Sequence, residues 1–315
     1  GPADPLWAAP SRCAEPSRTE PLHRTAVLVR SHNPHECGYA RIKEYAASSA
    51  SSGCTFCVSV DISQAPGRQA ASRLQAELGA NAVHTYSEAT LRKSYPVLAA
   101  ECTQRADAGS KQHWRRWGNP VREGQHCAPA SLAWGFHLEA INLWAQRQHG
   151  EAFDFVWILE DDVGFSGDLC RDLCAAYTAD ASDLITAEYS PVFAPLPTRS
   201  RKLVSRWCWQ QTASDAFLAL VGQADRHKGP EHVQRFSRRY LDRLHELASG
   251  RKPGRMTAWS EMGAPSLCLH LGLTVGRFDA CHVGTPFSPN GRVSPEEWEA
   301  LKKQGHGKLY HALKF

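Results

Sequence analysis

The sequence FVWILEDDV, residues 155–163, joins five large hydrophobic residues directly to three adjacent carboxylates. An uninterrupted apolar run of this length is typical of a central strand that is buried on both faces of a sheet. The three acids cannot remain inside such a sheet, because an unpaired buried charge is very costly. We therefore expect them to emerge where the strand ends, which is the edge at which open α/β sheets bind ligands.

The alternation of side chains along a strand places Glu160 and Asp162 on one side and Asp161 on the other. Two carboxylates on one side are suited to bind Mn²⁺ or Mg²⁺, directly or through water, and to leave positions open for phosphate oxygens. The alternative is structural, with the same acids capping the next helix or pairing with arginines. The pattern favours a metal-assisted site.

The overall composition is that of an ordinary globular protein, with 42% hydrophobic and 22% charged residues in 315. The length suffices for one large domain with an ample core. The net charge of +4, from 36 basic and 32 acidic residues, is too balanced for a nucleic-acid-binding protein, so no nucleic-acid partner is expected. No stretch approaches the ~20 consecutive apolar residues of a membrane-spanning helix.

The eleven cysteines are many for this length. Cys54 and Cys57 are spaced as C-x-x-C, but no second pair has the spacing of a zinc site. Cys57 also continues into a strand-like alternation, whereas a redox motif normally opens a helix. We therefore expect disulfide bonds formed in an oxidising compartment, with one thiol left unpaired.

The N-terminal segment, residues 1–23, is rich in proline, alanine and charged residues and predicts a disordered stem or linker. Gly1-Pro2 resembles the residue pair that a processing protease leaves behind. We therefore expect that a natural membrane anchor has been removed from this end.

From residue 25 onward, the chain alternates between strand-like and helix-like patterns, which predicts a parallel, doubly wound sheet flanked by helices. The predicted strands are 25–30, 55–60, 82–86, 155–160, 183–189 and 273–278, with a strand-like segment beginning at residue 206. The predicted helices are 39–50, 68–78, 130–149, 167–177, 232–247, 263–271 and 295–303.

This order of elements, leading to the acidic strand, resembles the GT-A fold of nucleotide-sugar glycosyltransferases. In that fold a DxD-type motif follows such a strand and bridges a metal ion to the donor diphosphate. The segment FDFVWILEDDVGFSGD, residues 153–168, is similar to the Glu-Asp-Asp version of N-acetylglucosaminyltransferase-type enzymes. The resemblance implies a GT-A-like, Rossmann-type α/β fold in a single large domain. Residues 24–190 would form the nucleotide-sugar-binding half, and residues 191–315 the acceptor-binding half and C-terminal tail.

The resemblance implies that Asp162 is the main metal ligand, while Glu160 and Asp161 contact the donor sugar, the ribose or metal-bound water. Family members often supply a C-terminal histidine as a further metal ligand, together with basic residues that neutralise the leaving diphosphate. The candidate histidines here are His282, His306 and His311. We favour His311, with Lys314 or Lys308 as the phosphate partner.

Two residues at the ends of the first two predicted strands are further donor-site candidates. Arg30 is expected near the nucleobase or the phosphates, and Asp61 is expected to accept hydrogen bonds from the base or ribose. Each has a structural alternative. Arg30 would be a plain surface residue, and Asp61 would cap the following turn with Ser63.

Glu261 lies at the start of a predicted helix. It resembles the acidic residue that faces the acceptor in GT-A enzymes, and in inverting members this residue deprotonates the attacking hydroxyl. The chain departs from the family pattern at Met262, where an aspartate is common. The structural alternative is a first-turn acid favoured by the helix dipole.

The sequence thus predicts a glycosyltransferase that requires Mn²⁺ or Mg²⁺. It would move a sugar from a nucleotide diphosphate donor, expected to be uridine-based, to a glycan or glycoprotein acceptor with inversion, although retention stays open. We expect it in the lumen of the secretory pathway, in the Golgi, as a type II membrane protein.

Two alternatives remain. The first, a Mg²⁺-dependent phosphohydrolase or nucleotidyltransferase, predicts phosphate release or nucleotide transfer without a sugar acceptor. The second, a non-catalytic glycan-binding domain, predicts that Asp162→Ala leaves partner binding intact.

Overall fold

The secondary structure follows from a computed structural model that describes residues 22, 24–96, 137–147, 153–192, 215–249, 260–287 and 291–315. The strands are β1 (Thr25–Ser31), β2 (Thr55–Asp61), β3 (Val83–Tyr86), β4 (Phe155–Glu160), β5 (Gly164–Phe165), β6 (Leu184–Thr186), β7 (Ser190–Pro191), β8 (His227–Lys228), β9 (Val233–Ser237), β10 (Val275–Arg277), β11 (Val283–Phe287) and β12 (Leu309–His311). The helices are α1 (Glu36–Ser52), α2 (Ala65–Leu78), α3 (Glu88–Ser94), α4 (His137–Arg147), α5 (Asp215–Leu220), α6 (Arg238–Ser249), α7 (Ser260–His270) and α8 (Pro295–Gln304).

The central sheet has the strand order β10-β6-β9-β4-β1-β2-β3. All of these strands run parallel except β9, which lies antiparallel between β4 and β6. The predicted α/β class, with a mostly parallel central sheet flanked by helices, is confirmed. A ligand edge is expected where β1, β2 and β4 end, because their carboxyl ends meet there.

The acidic strand β4 lies in the middle of this sheet, and its central residues are at most 1% exposed. Val156 and Ile158 pack into one core, which contains Trp144 of α4 and Tyr240 of α6. Trp157 and its neighbour Leu159 pack on the opposite face into a second core, which includes residues of α1 and α2. The prediction of a strand buried on both faces is therefore confirmed, and the acids must leave the sheet at its end.

The predicted helix 232–247 is wrong at its beginning, because Val233–Ser237 forms β9 and α6 begins only at Arg238. The strand pattern is hidden by polar residues that lie in a fully buried strand. Arg235 is 1% exposed, and its guanidinium donates to the carbonyl oxygens of Tyr177 at 2.6 Å and Asp180 at 2.7 Å. These long-range partners compensate the buried charge, and local sequence does not reveal them.

The segment predicted as a helix at 167–177 is instead a π-helix over Leu169–Cys174 followed by a 3₁₀ turn over Ala175–Tyr177. Other predicted segments fall largely outside the described residues. These are the stem at 1–23 apart from Leu22, the helix at 130–149 apart from residues 137–147, and the strand-like segment that begins at residue 206. Among the described helices, none combines the length and apolarity needed to cross a membrane.

A small second sheet, with the order β11-β12-β5, brings the C-terminal segment to the central sheet. Leu309 of β12 pairs with Phe165 of β5, and Tyr310 pairs with Gly164, in antiparallel register. A Cβ atom at Gly164 would lie 2.6 Å from the Trp298 ring of α8, so a glycine is needed for this close approach. The C-terminal tail thereby lies beside the chain that leaves β4.

The tail is held against the acidic turn by backbone hydrogen bonds. The Leu313 N–H donates to the carbonyl oxygen of Asp162 at 2.8 Å. The buried guanidinium of Arg41, from α1, donates to the carbonyl oxygens of Asp161 at 2.8 Å and Leu313 at 3.1 Å. Because these contacts join three distant parts of the chain, the tail has a defined position at the end of β4.

The cysteines differ from the expectation of a single unpaired thiol, which is wrong. Cys281 is disulfide-bonded. Free thiols in the described ranges include those of Cys37, Cys54, Cys170, Cys174 and Cys268. Cys54 and Cys57 belong to cores on opposite faces of the sheet, as strand alternation requires, so they do not form a redox pair.

Candidate functional site

The acidic turn, residues 160–162, emerges at the carboxyl end of β4 next to the end of β1. Arg30 of β1 is in register with Glu160, and its carbonyl oxygen accepts a hydrogen bond from the Asp161 N–H at 3.1 Å. The Ser31 hydroxyl donates to the Asp161 carboxylate. Asp161 therefore faces β1, while Glu160 and Asp162 face the small sheet, which follows from strand alternation.

The C-terminal segment places one histidine and one lysine on this turn. His311 is 2% exposed, and its Nε2 lies 3.3 Å from Oδ1 of Asp162 and 3.6 Å from Oε2 of Glu160. The ammonium nitrogen of Lys314 lies 3.3 Å from Oδ2 of Asp162. The other lysine candidate, Lys308, immediately precedes β12; its carbonyl oxygen accepts from the Ser166 N–H at 2.9 Å, and its N–H donates to the Ser166 hydroxyl at 3.1 Å.

The two other candidate histidines lie elsewhere. His282 has its Nδ1 2.9 Å from the phenol oxygen of Tyr177. His306 is exposed in the turn after α8. Of the three histidines considered from the sequence, the structure brings His311 to the acidic turn.

His232 is a site residue that the sequence did not reveal. Its Nδ1 lies 2.8 Å from Oε2 of Glu160, and its ring stacks on that of His311 with 3.7 Å between the centroids. It immediately precedes β9, and because β9 is antiparallel to β4, the beginning of β9 lies at the end of β4. No local spacing signals this position, since it depends on the pairing of two strands 72 residues apart.

Neighbouring groups lower the pKa values of two of the three acids in the turn. Burial alone would raise the pKa of Asp162, but the hydrogen bond with His311 and the charge of Lys314 lower it to about 2. Burial also opposes ionisation of Glu160, but the contacts with His232 and Arg30 hold its pKa below the usual value. Glu160 and Asp162 are thus ionised at neutral pH, as metal ligands must be.

Asp161 behaves differently from its two neighbours. Burial and the negative charges of Asp162 and Glu160 raise its pKa, although the Ser31 hydrogen bond opposes this. The carboxyl group that faces β1 therefore holds its proton more tightly than the two that face the small sheet.

The buried guanidinium group of Arg30 lies next to Glu160. Arg30 is 9% exposed, so the alternative of a plain surface residue is wrong. Its guanidinium lies 3.7 Å from Oε1 of Glu160 and 3.2 Å from Nε2 of His137 in α4. Nδ1 of His137 lies 3.6 Å from the Glu231 carboxylate. Arg30 thus contacts Glu160 directly, and a contact with the donor stays a prediction.

Asp61 ends β2, two strands from the acidic turn. Its Oδ1 accepts hydrogen bonds from the N–H of Ser63, at 2.9 Å, and from the Ser63 hydroxyl. The structural alternative for Asp61, a cap on the following turn, is therefore present. Asp61 is also partly exposed at the ligand edge of the sheet. Its hydrogen bond to a base or ribose stays a prediction.

Glu261 lies in the first turn of α7 and lines a cavity of about 440 Å³. The same cavity is lined by His232, Lys228 and Phe287. Burial raises the pKa of Glu261, and the charge of Glu160 raises it further against the opposing effects of His232 and Lys228. A carboxylate of raised basicity thus faces the space next to the acidic turn.

Met262, where the resemblance to GT-A enzymes implies an aspartate, is fully buried in the core of the α4 face. An acid is not accommodated there without a partner, because an unpaired buried carboxylate is costly. Core packing therefore accounts for the methionine at this position, and of these two residues Glu261 lines the cavity.

The donor atoms fit a divalent cation. Two ionised carboxylates and one imidazole converge through Glu160, Asp162 and His311. Nδ1 of His311 and Nε2 of His232 are buried, and neither has a hydrogen-bond partner in the part of the chain that the structure describes. A second convergence of Asp279, Cys281 and His282 lacks a thiolate, because Cys281 is disulfide-bonded.

No family model and no curated protein matches the chain. Similar solved structures include the mannosyltransferase PcManGT from Pyrobaculum calidifontis in complex with GDP-Man and Mn²⁺ (TM-score 0.37, 13% identity, 88% of this chain and 59% of that one). Another is core-mannan synthase A from Aspergillus fumigatus in its Mn/GDP form (0.39, 12%, 88% and 79%). A third is an active-site mutant of LgtC (0.41, 11%, 92% and 88%). At these values the similarities assign no activity to this chain, which spans 59% of the mannosyltransferase.

Proposed function

We propose that this protein is a metal-dependent glycosyltransferase that moves a sugar from a nucleotide diphosphate-sugar to a hydroxyl group of a glycan or glycoprotein. One observation carries the proposal. Glu160 and Asp162 converge with His311 at the ligand edge of the parallel sheet, and a cavity lined by the Glu261 carboxylate lies beside them. The two acids and His311 suit a cation and a diphosphate, and Glu261 suits the deprotonation of an attacking hydroxyl.

On the donor side, Asp162, Glu160 and His311 would hold Mn²⁺ or Mg²⁺. The cation would supply positive charge to the leaving diphosphate. The Lys314 side chain is 55% exposed, so its ammonium group is able to contact a phosphate while it neutralises Asp162. We propose a uridine-based donor, and guanosine is the alternative because two of the similar structures carry GDP or GDP-Man.

On the acceptor side, Glu261 would act as the general base. Its carboxylate would take the proton of the acceptor hydroxyl while that oxygen attacks the anomeric carbon and the bond to the diphosphate breaks. A buried carboxylate with a raised pKa suits this role, because its basicity lies closer to the working pH. Direct displacement inverts the anomeric centre, and we propose inversion on this basis.

The disulfide at Cys281 supports an oxidising compartment. We propose the lumen of the secretory pathway, and specifically the Golgi, with a type II membrane anchor preceding the chain described here. Localisation of the tagged full-length protein in its own cells tests this proposal. A cytosolic distribution would contradict it.

A thermal-shift experiment tests the donor. The protein is melted with uridine and guanosine nucleotide-sugars, each with Mn²⁺ and with a chelator. A ligand about 100-fold above its Kd stabilises the folded state by about 2.7 kcal/mol, and we expect the Tm to rise by several degrees only when metal is present. The absence of any shift with metal and nucleotide-sugar would contradict the proposal.

Product analysis in the same mixtures separates the two alternatives. A phosphohydrolase or nucleotidyltransferase would release phosphate or transfer the nucleotide without a sugar acceptor. A binding domain would shift in the melt but never turn over the donor. A glycosyltransferase consumes the donor and releases the nucleoside diphosphate in an acceptor-dependent manner.

A further inference from the structure

The acidic turn is in contact with two imidazoles, one from each of two unrelated parts of the chain. His311 comes from the C-terminal strand β12, and His232 comes from the residue before β9. Both are almost completely buried, at 2% and 6% exposure. Their rings stack at 3.7 Å with 19° between the planes. The functional proposal above uses the first imidazole and leaves the second without a role.

The distances between the possible ligand atoms are those of one coordination sphere. One atom each from Glu160, His232 and His311 lie within 4.8 Å of one another. Oε2 of Glu160 lies 2.8 Å from Nδ1 of His232 and 3.6 Å from Nε2 of His311. At metal–ligand distances of about 2.1 Å, neighbouring ligands are separated by roughly 3.0–3.4 Å. The three ligand atoms are therefore close enough to share one ion, provided that the His232 and His311 rings tilt out of their stacked arrangement.

The ring of His232 directs its Nδ1 at the acidic turn, 2.8 Å from Oε2 of Glu160. Its Nε2 is buried without a hydrogen-bond partner among the described residues. In the tautomer that carries the hydrogen on Nε2, the lone pair of Nδ1 points at the ionised carboxylate, and a cation between the two atoms would bind both.

We infer that His232 is a second imidazole ligand of the cation, and that the site therefore selects a transition-metal ion over Mg²⁺. The inference rests on the proposed function in that it concerns the same cation site. The affinity of a site with nitrogen and oxygen ligands rises along the series from Mn²⁺ to Cu²⁺, and imidazole suits Fe, Ni, Cu and Zn, whereas Mg²⁺ is bound through carboxylates, phosphates and water. Two imidazole ligands thus favour a transition-metal ion over Mg²⁺ as the cofactor.

Pulsed EPR of the purified full chain with MnCl₂ alone counts the nitrogen ligands without any substrate. We expect couplings from two nitrogens in the wild-type protein and from one in His232→Asn. Asparagine is chosen because its polar amide fits within the space of the imidazole, while the metal-binding ring nitrogen is lost. His306→Asn, at an exposed position outside the site, is the matched control and should keep both couplings.

Calorimetric titrations with ZnCl₂, MnCl₂ and MgCl₂ give the second readout. We expect His232→Asn to weaken Zn²⁺ and Mn²⁺ binding by at least about tenfold, and to leave the weaker Mg²⁺ binding within about twofold. If circular dichroism shows that the variant misfolds, the number of nitrogen couplings in the wild-type protein still tests the inference, because that measurement needs no substitution.

The outcomes separate the two proposals. One nitrogen coupling in the wild-type protein, or equal affinities of wild type and His232→Asn, would overturn the ligand role of His232 and leave the glycosyltransferase proposal intact. Two nitrogen couplings without any metal-dependent binding of nucleotide-sugars would support the ligand role of His232 and contradict the glycosyltransferase proposal. The absence of bound Mn²⁺ would overturn the inference outright.

Discussion

Asp162→Asn is expected to abolish metal-dependent binding of the nucleotide-sugar and to lower sugar transfer by at least about 100-fold. Substitution of groups that merely support a metal ligand typically costs about 10–100-fold, and Asp162 is itself the proposed ligand. Its two oxygens lie 3.3 Å from His311 and from Lys314, so the neutral amide loses both charge-based contacts. Calorimetry of donor binding with Mn²⁺, together with a transfer assay, measures both effects.

The matched control is Asp154→Asn, which makes the same substitution at the opposite end of the acidic strand. Asp154 is partly exposed and pairs with Arg24 on the surface, where an ion pair contributes little to stability. This variant should bind and transfer as the wild type does. Unchanged donor affinity in Asp162→Asn would show that Asp162 does not hold the cation. An equal loss in Asp154→Asn would point to a general effect on folding.

Glu261→Gln is expected to lower kcat by about 10²–10⁴-fold while the affinity for donor and metal stays near that of the wild type. Glutamine preserves the shape of the side chain but cannot accept the proton of the acceptor hydroxyl. Glu261 lines the cavity and is not among the atoms that converge on the cation, so the donor half should remain intact. Steady-state kinetics with separate variation of donor and acceptor distinguishes kcat from KM.

The pH profile gives a second test of Glu261. A general base works in its deprotonated form, so the rate should rise as the pH increases through the pKa of Glu261. Burial raises this pKa above its ordinary value of 4.5, and the acid limb should therefore lie at higher pH than for an exposed glutamate. The limb should disappear in Glu261→Gln. Glu188→Gln, an exposed acid that lines the same cavity, should retain it.

A residual kcat above about one tenth of the wild-type value, with an unchanged acid limb, would remove Glu261 from the mechanism. In that case the anomeric configuration of the product would be measured next, because a reaction with retention does not require a base at this position. An unaltered Glu188→Gln together with a defective Glu261→Gln would confine the effect to the buried carboxylate.

The acidic turn was largely predictable from the sequence, because its main signal is contiguous. Five apolar residues followed by three acids predict both the central strand and its ligand edge, and the strand alternation already separates Asp161 from Glu160 and Asp162. The helix next to Glu261 was predicted over 263–271, and α7 begins three residues earlier, at Ser260.

The rest depended on which distant segments meet. The sequence offers three candidate histidines in the C-terminal part, and only the pairing of β12 with β5 places His311 on the acidic turn. His232 was interpreted as part of a helix, because the buried Arg235 and Gln234 conceal the strand that follows it. Polar residues in a central strand are tolerated only through long-range partners, and local patterns cannot predict these.

The sequence by itself therefore determined an α/β fold and a central strand that delivers three carboxylates to a sheet edge, and it predicted a cation site at that edge. The tertiary structure decided which side chains complete that site. It turned Arg30 inward against Glu160, brought His311 and Lys314 from the C-terminal tail, and added His232 through an antiparallel strand. The physical reason is that the burial of a strand depends on residues that are adjacent in the sequence. The side chains that surround one point in the fold come from distant chain segments, which only folding brings together.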